Sequence, residues 1–103
     1  MAKLTLAQEP TFKAPVAIPV PGSKPVSVSF TFKWRTRDEA RAWLEEVDAL
    51  GDEDVVLSMA SGWELDDTFD ADNVKALCQK FAGAASAIFS TYVEQLRGAK
   101  AKN

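Results

Sequence analysis

The 103-residue chain contains no histidine and a single cysteine, Cys78. The first absence excludes histidine-based acid/base and triad chemistry and, with so few thiols, a zinc finger; the second excludes a disulfide framework. One cysteine fits a reducing cytosol. Long apolar runs are also missing: nothing approaches the roughly 20 residues of a membrane span. Residues 1–10 have neither the basic nor the apolar region of a signal peptide, so the protein is expected to act where it is made, with no membrane partner. The five glycines are isolated, which leaves no phosphate-cradling motif.

What is present suits one small domain over residues 1–103, 47% hydrophobic and 26% charged, with 1–10 and 98–103 expected as flexible ends. The formal charge of −3 hides a pattern. Met1 to Arg37 carries six bases (Lys3, Lys13, Lys24, Lys33, Arg35, Arg37) against Glu9, a net of +5. Asp38 to Asp72 carries thirteen acids and one base, a net of −12, and Asn73 to Asn103 returns to +4. Such a block is either a solvated surface, since helix starts attract acids, or a face that meets the basic ends of another copy.

All five prolines lie within the first 25 residues, so this quarter is not helical. Phe12, Ala14, Val16, Ile18 and Val20 alternate with Lys13, Pro15, Ala17, Pro19 and Pro21, a strand period with prolines on the other face, which predicts an edge strand. After the turn Pro21-Gly22-Ser23-Lys24, Val26, Val28, Phe30, Phe32 and Trp34 alternate with Ser27, Ser29, Thr31, Lys33 and Arg35, the strongest strand signal in the chain. The fold class is therefore α+β: an antiparallel β-hairpin, about 12–20 and 26–35, packed on three or four α-helices. An isolated hairpin is marginal in water, so its apolar face needs that cover.

The first helix, about 37–50, starts at Thr36-Arg37-Asp38-Glu39, a capping box. Ala40, Trp43, Leu44, Val47 and Leu50 recur at helical spacing, and Gly51 sits where a left-handed cap is expected. Residues 53–60 read as two helical turns capped by Asp52 and ended by Gly62, or as a short buried strand. Gly62 to Asp70 reads as a connector with aromatic anchors. Val74, Leu77, Cys78 and Phe81 mark a helix over 71–81. Ile88, Phe89, Tyr92, Val93 and Leu96 mark another over 84–97, closed by Gly98.

No motif demands catalysis. A calcium loop counted from Asp66 puts Ala71 and Leu77 where glycine and a bidentate glutamate are required, and one counted from Asp70 puts Val74 on a ligand position. No metal or cofactor is expected. Cys78 reads as a small buried hydrophobe with no base to activate it. Lys33-Trp34-Arg35-Thr36-Arg37 interleaves bases with an aromatic, as single-strand nucleic-acid binders do. Here the aromatics fall on the core face beside a −12 block, so no nucleic acid is expected. Trp34 and Trp43 are expected in the core, whereas Trp63 suits a core edge or an interface equally.

The second half carries a resemblance. Gly62-Trp63-Glu64-Leu65, then Phe69-Asp70-Ala71-Asp72-Asn73-Val74, then Phe81-Ala82-Gly83-Ala84-Ala85 with Ile88-Phe89-Ser90-Thr91-Tyr92, resembles the tail assembly chaperones of long-tailed bacteriophages and prophages. The hairpin leading into Arg-Thr-Arg-Asp-Glu-Ala is also similar, so the likeness covers most of the chain. Ala82 stands where relatives often carry proline. The resemblance implies a non-catalytic assembly factor of the host cytoplasm that binds the tape-measure protein and tail-tube subunits and is absent from the mature virion. It also implies production in two lengths by a −1 ribosomal frameshift. Ala101-Lys102-Asn103 is compatible with the slippery codons GCA AAA AAC, and AAG at Lys102 in the gene would remove that idea. The alternative is a small structural virion component, a tail or head-tail joining protein. Residues expected to meet a partner or another copy are Trp63, Asp66, Asp67, Phe69, Asp70 and Tyr92, together with the bases Lys33, Arg35 and Arg37. A head-to-tail contact between acidic middle and basic ends gives a ring or spiral.

Overall fold

A computed structural model describes residues 10–98; of the expected flexible ends 1–10 and 98–103, only Pro10 and Gly98 are among them, and the rest, with the frameshift site, lie outside the described residues. The elements are β1 (Thr11–Ile18), β2 (Val26–Lys33), α1 (Arg37–Val47), α2 (Asp52–Met59), β3 (Ala60–Trp63), α3 (Ala71–Lys80) and α4 (Ala84–Arg97). This is the α+β architecture expected from the hairpin and helix signals. Within it, β1 and β2 pair antiparallel from Thr11 opposite Lys33 to Ile18 opposite Val26.

The hairpin turns where Pro21 and Gly22 follow Val20. Gly22 takes φ +74°, and Ser23 N donates to Val20 O at 3.0 Å, the geometry of a type II turn with glycine at its third position. Trp34 N donates to Pro10 O, so the even-numbered residues of β1 aim their backbone groups at β2. Pro15, opposite Ser29, therefore turns its ring nitrogen to the open edge, where no ladder hydrogen bond is lost.

A third strand is present that the sequence does not announce. Residues Ala60–Trp63 pair antiparallel with β2, Trp63 opposite Phe30 and Ala60 opposite Phe32, with a register shift between Thr31 and Phe32. Gly62, expected to end α2, sits inside this strand. With two small residues and a glycine in four positions, Ala-Ser-Gly-Trp has no alternation to read; its pairing comes from the neighbouring strand, not from its own pattern.

The start of α1 is as expected: the Thr36 hydroxyl accepts from Glu39 N, and the Glu39 carboxylate accepts from Thr36 N at 2.8 Å. Its end is not. The helix stops at Val47, and Gly51, at φ −78°, is the N-cap of α2 and not a left-handed terminator. Asp52, expected to cap α2, is instead its first residue. Leu50 thus falls in a turn, 38% exposed. The left-handed cap occurs where Gly98 closes α4, at φ +76°.

The core lies between the inner face of the sheet and the helices: Val16, Phe30, Phe32, Val56, Met59, Val74, Ile88 and Tyr92 are completely buried. Helix α4 lies along β1 and α2, while α3 leans on α2 and α4. Helix α1 enters the core through Trp43 and Val47.

Candidate functional site

The residues singled out in the sequence separate into two places. The first is internal. Tyr92 is 0% exposed, and its hydroxyl donates to Lys33 O at 2.7 Å and accepts from Arg35 Nη1 at 2.9 Å. The same Arg35 nitrogen donates to Ser58 O at 2.8 Å, and the guanidinium lies 5.1 Å from the centroid of the Trp43 ring. Trp43 Nε1 donates to Ser58 Oγ, which donates to Val55 O, and the Trp43 ring meets Tyr92 edge-on. Lys33 Nζ reaches Leu57 O at 3.0 Å.

These contacts tie the end of β2 to α1, α2 and α4. Burial pushes the Tyr92 phenol above its ordinary pKa; the hydrogen bond and charge of Arg35 oppose that shift, and Glu39 adds weakly to it. Tyr92 and Arg35 are consequently spent on holding the fold, and only Arg37 of the basic trio stands fully clear of it. Period-two alternation placed Arg35 on the solvent face, but β2 ends at Lys33 and the chain turns inward there. For the same reason Trp34, expected in the core, is 42% exposed, its ring edge-on to Phe12.

The second place is an open apolar groove of about 480 Å³ at the turn end of the hairpin. Its sheet wall is Ile18, Val20, Val26 and Val28; its helix wall is Leu77, Lys80 and Phe81, with Trp63, Leu65 and Asp67 also lining it. Helix α3 is set chiefly against α2, which leaves a groove between it and the turn end of the hairpin. Val26, expected on the core face, is 52% exposed, and Leu65 is 37% exposed.

Trp63 anchors this side. Its ring is edge-on to Phe30 and Phe69, at 6.0 and 5.0 Å, and its Nε1 donates to Asp67 O at 2.7 Å. Trp63 is half-buried: it packs against the core and also lines the groove. Asp70 caps α3 by accepting from Asn73 N at 2.9 Å, and Asn73 Nδ2 donates to Thr68 O. Asp66, Asp67 and Asp70 are exposed, Asp67 alone of the three lining the groove, and Phe69 is half-buried against Trp63.

Cys78 is half-buried rather than fully buried, in a shallow hollow with Gly51, Asp52, Glu53 and Lys75. Burial first, then the charges of Asp52 and Glu53, raise its pKa, so the thiol is held protonated. Among the described residues no group of His, Cys, Asp or Glu stands together as a metal site, and no described helix is long and apolar enough to cross a membrane. The groove was legible only as isolated apolar residues at 18–28 and 77–81, since their failure to be covered is a tertiary fact.

No match to the chain is found among curated proteins or solved structures. The profile of a family described as "Phage tail assembly chaperone" matches residues 1–103, the whole chain, and the protein therefore belongs to the phage tail assembly chaperone family.

Proposed function

We propose that the protein is a non-catalytic chaperone that binds the tape-measure protein and tail-tube subunits during tail morphogenesis, associates with copies of itself, and works in the host cytoplasm without entering the mature virion. The observation that carries this reading is apolar surface left open on a member of this family: Val26 and Leu65, 52% and 37% exposed, line an apolar groove, and Trp34, Leu44 and Leu50 stand 38–42% exposed elsewhere on the surface. A long helical client needs its apolar faces shielded until assembly, and such surfaces are what an amphipathic helix docks on. Many copies along one client gain avidity as neighbours.

Catalysis has little to work with, since there is no histidine and the thiol of Cys78 is held protonated. A structural virion component would use the same exposed surfaces, and mass spectrometry of purified particles separates the two. The chaperone is expected to be absent from finished tails and present in lysates of cells assembling them. Detection in particles at a fixed ratio to the tail-tube subunit would overturn the chaperone reading.

A further inference from the structure

Helix α3 carries two faces. Val74 is buried and Cys78 lies in the hollow at the start of α2, whereas Asn73, Ala76, Leu77, Lys80 and the C-cap residue Phe81 all line the groove. Positions 73, 76, 77, 80 and 81 follow the i, i+3, i+4, i+7, i+8 spacing of one helical stripe, the pattern that a surface helix turns to a packing partner. This second stripe opens on the groove, with Ala76 exposed at its middle.

The stripe has a charge at each end. Asp67 lines the groove at its Asn73 end, where Asn73 Nδ2 donates to the carbonyl of Thr68, the next residue in the chain. Lys80 lines the other end, about 10 Å further along the helix axis at roughly 1.5 Å per residue. Among the described residues the ion pairs are Lys13 with Glu64 and Arg41 with Asp38, so neither Asp67 nor Lys80 is neutralised within its own subunit. Apart from these two charges and Asn73 the lining is apolar, and its members Val26 and Leu65 are well exposed.

An acid and a base at opposite ends of one apolar stripe make that surface complementary to itself. A twofold axis crossing α3 between Ala76 and Leu77 lies midway between Asn73 and Lys80. It sets two copies of α3 antiparallel, opposes their helix dipoles, and brings each Lys80 to the Asp67 end of the other copy. We infer that two copies of this chain meet through this groove in a closed twofold dimer. Lys80 of each pairs with Asp67 of the other, and Val26, Leu65, Leu77 and Phe81 are shielded at the contact. A head-to-tail contact joins two different surfaces; here one surface serves both copies. The inference rests on the proposed self-association and gives it a surface. The groove presents fewer residues than the roughly 20–30 a side of a standard interface, so the dimer is weak and forms at high protein concentration.

Charge reversal tests the pairing at two exposed positions, and the urea midpoint of each variant checks that it is folded. Sedimentation velocity at low salt and high concentration is the readout. The wild type is expected to run as a monomer in equilibrium with a dimer. Asp67→Lys alone and Lys80→Glu alone each turn two attractions into two repulsions and should weaken the dimer by on the order of tenfold or more. Mixing the two variants should restore a one-to-one heterodimer, and Asp67→Lys with Lys80→Glu in one chain should restore the homodimer.

Single variants that dimerise like the wild type, or a mixture that stays monomeric, would overturn this inference and leave self-association standing through another surface. Growth of the wild type past the dimer, abolished by either reversal, would make the contact heterologous and overturn the twofold. A wild type that stays monomeric would overturn both the inference and the proposed self-association. Val26→Arg should also weaken the dimer. A Val26→Arg protein that dimerises normally but no longer binds the tape-measure protein would show that the groove holds the client, and would overturn the inference.

Discussion

Replacing Tyr92 with phenylalanine removes one oxygen atom and leaves the ring where it packs against Phe32 and Trp43. That atom joins Lys33 O at 2.7 Å to Arg35 Nη1 at 2.9 Å, both in partly buried surroundings. A neutral hydrogen bond contributes about 1 kcal/mol and one to a charged donor about 1.5–3, with the orphaned partner groups adding a desolvation cost. Arg35 keeps Ser58 O and the Trp43 face, which limits its share. We therefore expect a loss of about 2 kcal/mol in urea unfolding, with an unchanged m-value, and a fall in Tm of roughly 10 °C for a domain of this size. Arg35→Met should couple to it: in the double-mutant cycle the two losses should fall short of additivity by about 1 kcal/mol or more, since both remove the same bond. A Tyr92→Phe protein within 0.5 kcal/mol of wild type, or strict additivity with Arg35→Met, would refute the assignment of this side chain as the clasp between β2 and α4.

Three further outcomes follow from the same geometry. Trp43→Ala should cost about 3–5 kcal/mol in the same assay, whereas Trp34→Ala, at a residue far less enclosed, should cost roughly 1, an ordering opposite to equal core roles for the two. Because the folded pKa of Tyr92 is raised, the unfolded chain ionises first as pH rises; stability should be intact below about pH 10.0 and decline above it, and Tyr92→Phe should lose part of that alkaline slope in pH-dependent urea melts. Cys78, whose thiol is held protonated, should react with iodoacetamide at pH 8 more slowly in the native protein than in urea.

Local signals were readable where one element carried its own pattern. The hairpin followed from two runs at period two around Pro21-Gly22, and α1 from the reciprocal bonds of Thr36 and Glu39. What escaped depended on partners elsewhere in the chain. The strand Ala60–Trp63 exists because β2 offers an unpaired edge, and its own four residues carry no alternation. Extending the period of β2 past Lys33 misplaced both Trp34 and Arg35, for a strand's end is set by the turn into the next helix.

The candidate site shows the same division. Trp63 and the acids at 66, 67 and 70 were singled out from the sequence; of these, Trp63 and Asp67 line the groove, while Asp66 and Asp70 are exposed nearby in sequence and Asp70 caps α3. Tyr92 has the residue type of an interface anchor, yet its ring is closed in by Phe12, Phe32 and Trp43. Sequence alone does not distinguish a tyrosine that binds a partner from one that binds its own strand. Val26 errs the other way, apolar and in phase with the core but bared because α3 packs on α2 instead.

The central claim is that this chain shields a tail-assembly client. Co-expression with the tape-measure protein of the same phage, followed by centrifugation and affinity purification of this protein, tests it most directly. The account predicts that the tape-measure protein moves from the pellet to the supernatant and co-purifies in a complex containing several copies of the chaperone per client chain. A tape-measure protein that stays insoluble, or becomes soluble without co-purifying, would contradict it.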